Sequence, residues 1–180
     1  MCNMYIPVEK ILDFYAKRTN AHIKSVNYFA GLIGYHFPEH DNDKMTGTIR
    51  TGYAHIIYAK YHPEFTVTQT QRELYTLAHD EHHKTQPHHL EYYDKDVSKI
   101  SDMTLIEMIC DWHSASFEQR FVSHEDSIGH TVYDYFTMHL QHLDWSPHQY
   151  GLIQEMLEFL DMYTNHNDVL EIWAPLIDLV

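Results

Sequence analysis

The sequence predicts an all-α fold with a single domain. Apolar residues recur at three- and four-residue steps along most of the chain, which is the spacing of one face of a helix. No segment shows the strict alternation typical of a half-buried strand. The 180 residues are 44% hydrophobic, which is enough for one core, and no linker divides them. We therefore expect residues 1–180 to form one helical bundle, in which C-terminal helices at 125–180 pack on a core at about 20–122.

The N-terminal part predicts two helices and a break. Residues 8–18 carry apolar side chains on one helical face. Asn20 is a suitable cap for a second helix over residues 21–35. Pro38 then interrupts the pattern, so that the residues after it are expected at a turn or at the start of a helix.

Two helices are predicted in the middle of the chain. Residues 45–61 can be helical, although Gly47 and Gly52 weaken this prediction. Residues 68–84 have the helical pattern more clearly.

Prolines and serines mark the starts of the later helices. Pro87 could begin a short helix that carries His88 and His89. Ser101 is a suitable cap for a long helix that runs to about Val122. The remaining helices are predicted over residues 128–143, from a Ser146-Pro147 cap to residue 163, and over residues 169–179.

Composition excludes several classes of partner. Acidic residues outnumber basic ones 26 to 12, and the resulting net charge of -14 would repel a phosphate backbone. We therefore expect no nucleic-acid polymer as partner. The N-terminus lacks a signal pattern and no apolar run is long enough for a membrane span. Of the two cysteines, Cys110 fits a core position, so we expect a soluble cytoplasmic protein without disulfides.

Histidine is the compositional outlier, with 17 copies, and metal binding is one usual reason for such an excess. The adjacent His40 and Asp41 can hold one ion from neighbouring positions. His22 begins a core-facing stripe, and Asp111 lies on an acidic face of the long helix. The expected metal ligands are His22, His40, Asp41, His82, His88 and Asp111, with His83 and His89 as rivals of their neighbours.

A resemblance follows from this ordered set. His22, the pair His40-Asp41 and Asp111 resemble the metal-binding pattern of the HD superfamily of helical metal-dependent phosphohydrolases. Lys44 completes the form His-Asp-x-x-Lys that many of these proteins share.

A second stretch carries a narrower resemblance. Residues 82–93, followed by residues 110–112, resemble an uncharacterised bacterial and phage family within that superfamily. The resemblance covers residues 22–121, and it implies a bundle of the HD-domain type with a divalent metal centre.

The expected function is hydrolysis of a phosphate ester by metal-activated water. A bridging aspartate, several imidazoles and a second carboxylate can satisfy two divalent ions. We expect one or two ions of Mn, Co, Ni, Mg or Fe, with Asp41 and Lys44 as catalytic residues. Lys44 would bind the phosphate, and Asp43 would orient Lys44, assist proton transfer or simply lie exposed. The expected substrate is a small phosphorylated metabolite, with a nucleotide preferred.

Two other functions fit the same residues. The ligand set also suits a di-iron oxygenase, as in some relatives within the HD superfamily. A non-catalytic protein that binds a nucleotide or a metal is the alternative from a different class. The apolar C-terminal helices are a possible interface for a homo-oligomer.

Overall fold

Helices make up the architecture throughout the described part of the chain. The computed structural model describes residues 6–123, 131–177 and 179, and these contain seven α-helices and no strand. The prediction of an all-α helical bundle is confirmed. Helices α1 to α7 span Val8–Leu32, Gly47–Tyr61, Gln69–Thr85, Asp102–Phe121, Val132–Tyr135, Pro147–Tyr163 and His166–Ile177.

Helix α1 is one continuous helix, so the prediction that a separate second helix begins after Asn20 is wrong. Neither glycine nor proline interrupts residues 8–30, and a polar residue such as asparagine is tolerated on a solvent-facing side. Asn20 is exposed, whereas its neighbours Thr19 and Ala21 are buried. The continuous helix carries His22 at its centre, against the other helices of the bundle.

Side-chain caps fix the starts of three helices where they were predicted. Thr68 accepts a hydrogen bond from the Gln71 amide at the start of α3, and Ser101 accepts one from the Thr104 amide at the start of α4. Ser146 caps α6 in the same way. Such caps satisfy amide groups that the first turn of a helix leaves without partners.

The short helix predicted from Pro87 does not form as expected. His88 and His89 lie in a turn, and a 3-10 helix follows at Leu90–Tyr93. Asp94 and Lys95 then adopt left-handed backbone conformations, with φ values of 53° and 64°, which end the helix. The turn therefore holds both histidines in irregular backbone, beside the C-terminus of α3.

The core lies between α1 and the helices that pack on it, which are α2, α4 and α7. Leu105, Ile109 and Cys110 of α4 are fully buried there, so the core position expected for Cys110 is confirmed. Cys2 lies outside the described residues. Helix α3 contributes little to this core, because its Leu74 and Leu77 are exposed.

The segment after residue 130 differs from the predicted helix over residues 128–143. Residues 128–130 lie outside the described part, and α5 begins at Val132. It continues into one π-helical turn at Phe136–Leu140. Within the described residues, no helix combines the length and the apolar character needed to cross a membrane.

Candidate metal centre

Four histidines and two aspartates meet inside the bundle. Helix α1 brings His22, α3 brings His82 and α4 brings Asp111, while loops bring the other three. All except Asp111 are buried, and Asp111 is partly buried. The structure thus brings together the six residues expected as ligands, which are His22, His40, Asp41, His82, His88 and Asp111.

The two carboxylate oxygens of Asp41 face different histidines. Its Oδ2 lies 3.3 Å from Nε2 of His22 and 3.8 Å from Nε2 of His40. Its Oδ1 lies 3.3 Å from Nε2 of His82 and 3.4 Å from Nε2 of His88. Asp41 therefore stands between two groups of imidazoles, which we call the first and second ligand groups.

Asp111 completes the first ligand group. Its Oδ1 lies 3.0 Å from Nε2 of His22 and 3.8 Å from Nε2 of His40. An ion about 2.0–2.2 Å from each donor would separate two donors by about 3.0 Å at a right angle and about 3.4 Å at the tetrahedral angle. The observed separations match these values or correspond to a wider angle, so each group could hold one ion.

Three atoms of the cluster are buried without a hydrogen-bond partner among the described residues. They are Nε2 of His40, Oδ1 of Asp41 and Nε2 of His88. An unsatisfied buried polar atom costs roughly 1–3 kcal/mol. Because all three belong to the two ligand groups, cations bound in both groups would satisfy them.

Hydrogen bonds behind the histidines fix their ring orientation. Nδ1 of His40 lies 2.9 Å from Oε1 of Glu107, and Nδ1 of His82 lies 2.7 Å from Oδ2 of Asp43. Nδ1 of His22 lies 3.0 Å from Oγ of Ser114. Carboxylates that accept from Nδ1–H leave Nε2 as a lone-pair donor towards the cluster, which is the tautomer that metal ligation requires.

Asp43 makes a contact that the sequence did not predict. Its carboxylate lies 2.7 Å from Nδ1 of His82 and accepts a hydrogen bond of 3.0 Å from the backbone amide of Lys44. The contact of Glu107 with His40 was missed by the sequence analysis. The only signal for it was that Glu107 and Asp111 are spaced by four residues on one helix face.

Both members of the second His-His pair face the cluster. Nε2 of His89 lies 2.8 Å from Nε2 of His82, and His89 joins Asp41, His82 and His88 in the second ligand group. The sequence analysis treated His89 as a rival of His88. A turn of irregular backbone, unlike a helix, can point two consecutive side chains towards one centre.

The two members of the first His-His pair, His82 and His83, have different surroundings. His82 is buried in the cluster, whereas Nδ1 of His83 lies 3.2 Å from Oε2 of Glu91. The rings of His83 and His89 stack 3.9 Å apart, with only 10° between their planes. A ligated ion lies near the plane of each imidazole, so two parallel stacked rings cannot share one ion without rotating.

Charges in the cluster favour ionised carboxylates. Burial raises the pKa of Asp41, but the charges of Lys44 and His40 outweigh it, and the pKa lies well below its usual range. Burial likewise raises the pKa of Asp111, and its hydrogen bond with His22 reverses the shift. Burial lowers the pKa of His89, whereas the hydrogen bonds of His22 with Asp111 and Asp41 outweigh the burial of His22 and raise its pKa. Ionised carboxylates and neutral imidazoles are the forms that bind metal ions.

Asp41 is also conformationally unusual. Its φ of 57° is in the left-handed region, which few residues adopt, although aspartate does so more readily than most. Nζ of Lys44 donates a hydrogen bond of 2.9 Å to Oδ2 of Asp41. Strained backbone of this kind persists where surrounding contacts hold it, and it concentrates at functional sites.

Comparison with known proteins gives a family for this chain. The model of a family of unknown function, DUF5662, matches residues 12–165. The chain belongs to this family. No curated protein and no solved structure matches it significantly. Every residue of the two ligand groups lies within the matched segment.

A cavity opens beside the cluster of this DUF5662 protein. It has a volume of about 210 Å³. His89 and Asp111 of the two ligand groups line it, together with Trp112 and Tyr135. Two of the proposed ligands are therefore reachable from this cavity.

Proposed function

We propose that this DUF5662 protein is a metal-dependent phosphohydrolase that cleaves a small phosphate ester. The observation that carries the proposal is that the two oxygens of Asp41 face separate groups of buried imidazoles. The first ion would be held by His22, His40, Asp41 and Asp111, and the second by Asp41, His82, His88 and His89.

The residues present fit such ions in number and chemistry. Imidazole and carboxylate donors suit Mn, Co, Ni and Fe, and one or two such ions would satisfy the buried donor atoms. Divalent ions bound there would lower the pKa of a coordinated water towards neutrality and offset the charge of a phosphate group.

The chain's own residues hold and orient the donors. Glu107 and Asp43 fix the rings of His40 and His82. Lys44 steadies the shared carboxylate of Asp41 through its 2.9 Å hydrogen bond. Binding of the substrate phosphate by Lys44 remains a prediction. The cavity beside His89 and Asp111 would admit the substrate to these two residues of the ligand groups.

Assignment to the HD superfamily is part of the proposal. The order of the donors along the chain supports it, since a histidine, a His-Asp pair, further histidines and a last aspartate follow in that sequence. The net charge of -14 favours a compact substrate over a nucleic-acid polymer. The proposal places the enzyme in the cytoplasm, on the ground that two cysteines in 180 residues provide no disulfide framework.

The test combines metal analysis with a panel of phosphate esters. We expect wild-type protein to bind up to two divalent ions per chain and to release phosphate from at least one nucleotide. Asp41→Asn should lose both properties, because it removes the shared charge. Asp80→Asn is the matched control: it belongs to the other His-Asp pair, His79-Asp80, and its carboxylate is largely exposed. This control should behave as wild type.

Two results would contradict the hydrolase. If the protein retains iron and its turnover consumes oxygen without releasing phosphate, the ligand groups serve an oxygenase. If Asp41→Asn binds metal as wild type does and neither protein turns over any ester, the chain is a binding protein.

A further inference from the structure

Apart from His89 and Asp111, the cavity is lined by apolar, aromatic and neutral polar side chains and by His83. Trp112, Ala115 and Tyr135 present apolar surface, and Gln119 adds a neutral amide. The rings of Trp112 and Tyr135 meet edge to face, with centroids 6.0 Å apart. Aromatic walls of this kind bind planar rings by stacking.

Positive charge is missing from these walls. None of the residues that line the cavity in the described part is Lys or Arg. The residues outside the described part, 1–5, 124–130, 178 and 180, contain no Lys or Arg either. A second or third phosphate group in the cavity would therefore lack the cationic partners that buried phosphates require.

We propose that Trp112, Tyr135 and Gln119 make the site selective for phosphate monoesters that carry a neutral aromatic ring, such as nucleoside monophosphates, over ring-free monoesters and polyphosphates. The inference rests on the proposed function for the position of the phosphate, which would lie beside His89 and Asp111 of the two ligand groups. The ring would lie against Trp112 and Tyr135, and the amide of Gln119 would meet its polar edge.

The test measures binding separately from turnover. Manganese-loaded protein is equilibrated with phosphonate analogues of adenosine monophosphate and of ribose 5-phosphate, in which a methylene group prevents hydrolysis. We expect the adenosine analogue to bind on the order of tenfold more tightly, which is the lower end of stacking on one aromatic side chain. Trp112→Leu should reduce this preference to about threefold or less.

The control is Trp145→Leu, which removes a tryptophan that does not line the cavity. It should keep the preference, and circular dichroism and metal content would show that both variants fold. Equal binding of the two analogues by wild type, or no binding of either, overturns the inference. A preference that survives in Trp112→Leu overturns it as well.

A second variant tests whether the lack of Lys and Arg in the cavity lining disfavours a second phosphate group. Gln119→Lys should raise the affinity for a methylene-bridged analogue of adenosine diphosphate, relative to the monophosphate analogue, on the order of tenfold. Gln69→Lys, at an exposed position at the start of α3, should leave the ratio unchanged. An unchanged ratio in both variants would show that the lack of cations does not set the selectivity.

Turnover assays keep the two proposals apart. If phosphate esters are hydrolysed but the analogues bind equally, the hydrolase stands and the selectivity fails. If no ester is hydrolysed while the Trp112-dependent preference is found, the selectivity stands and the hydrolase fails.

Discussion

Asp41 lies between the two ligand groups of the proposed metal site. It is fully buried, it has a positive φ, and its two oxygens serve different groups of imidazoles. Burial of a carboxylate is costly unless cations or hydrogen bonds compensate. Lys44 and the surrounding histidines provide this compensation in the protein, and bound cations would add to it.

Glu107 provides a first prediction at the scale of single residues. Its carboxylate accepts from Nδ1 of His40 and also lies 3.5 Å from Nδ1 of His88. Glu107→Gln should weaken manganese binding by roughly 10- to 100-fold, because an outer partner orients the ligand and increases its basicity. Equilibrium dialysis measures the change. The exposed Glu155→Gln serves as control, and equal affinities in the two variants would refute the orienting role.

The buried ion pair between Arg18 and Glu118 provides a second prediction. Nε of Arg18 donates a hydrogen bond of 2.8 Å to Oε1 of Glu118, and the Tyr61 hydroxyl donates to the same oxygen. Burial raises the pKa of Glu118, but Arg18 outweighs it, and the pKa lies below its ordinary value. Removing one charge of a buried pair costs about 3–5 kcal/mol. Glu118→Gln should therefore lower the free energy of unfolding by about that amount at neutral pH.

The pH dependence of this loss has a defined sign. A depressed folded-state pKa gives stability that is complete above the unfolded value of roughly 4.3 and is lost as pH falls through the folded value. The difference between wild type and Glu118→Gln should thus shrink below about pH 4. Urea unfolding at a series of pH values tests this, and a difference that grows towards acid would contradict it.

At the scale of helices, the position of α3 depends on its close approach to α2 at Gly52. A Cβ atom at Gly52 would lie 2.5 Å from Cβ of Ala78 and 2.7 Å from the carbonyl oxygen of Leu74. Because α3 buries few side chains, this contact with α2 does much to hold it in place. His82 follows Ala78 by one helical turn, on the same face. The packing of α3 thereby sets the position of a proposed ligand.

Gly52→Ala should therefore affect both stability and metal binding. The clash involves backbone, so α3 must shift, at a cost of about 1–3 kcal/mol. The second ligand group should lose manganese affinity as His82 moves. Gly151→Ala is the matched control, because a Cβ there meets nothing within 4 Å, and it should keep both properties. Urea unfolding and metal titration measure the effects, and unchanged manganese affinity in Gly52→Ala would contradict the role of α3.

Helix patterns and caps could be predicted from the sequence because they depend on local residues. Thr68, Ser101 and Ser146 start helices as expected. Asn20 does not, since its preference for a cap is weak beside the packing of a continuous α1. The turn that carries His88 and His89 depends on the backbone conformations of Asp94 and Lys95, for which the sequence has no strong signal.

At the scale of the whole molecule, the six expected ligands come together because helices α1, α3 and α4 surround one point. Their order along the chain, together with the resemblance to the HD superfamily, predicted the set, with His83 and His89 left as rivals. The inclusion of His89 and the contact from Glu107 required three-dimensional packing, because both depend on residues far apart in sequence or on irregular backbone. The cavity walls likewise join α4 with Tyr135, across residues that no sequence pattern connects.

The net charge of the whole molecule affects how anionic substrates approach the site. With a net charge of -14, the chain repels anionic substrates at long range, and only a local concentration of positive charge would draw them in. Two divalent ions bound beside a pocket that lacks Lys and Arg in its described lining would provide that concentration. The account therefore depends on metal ions being bound on both sides of Asp41.

Anomalous scattering from crystals grown with manganese tests this claim most directly. The account predicts two peaks, one on each side of the Asp41 carboxylate, with the first near His22, His40 and Asp111 and the second near His82, His88 and His89. Peaks elsewhere, or no peak beside Asp41 at saturating manganese, would contradict it.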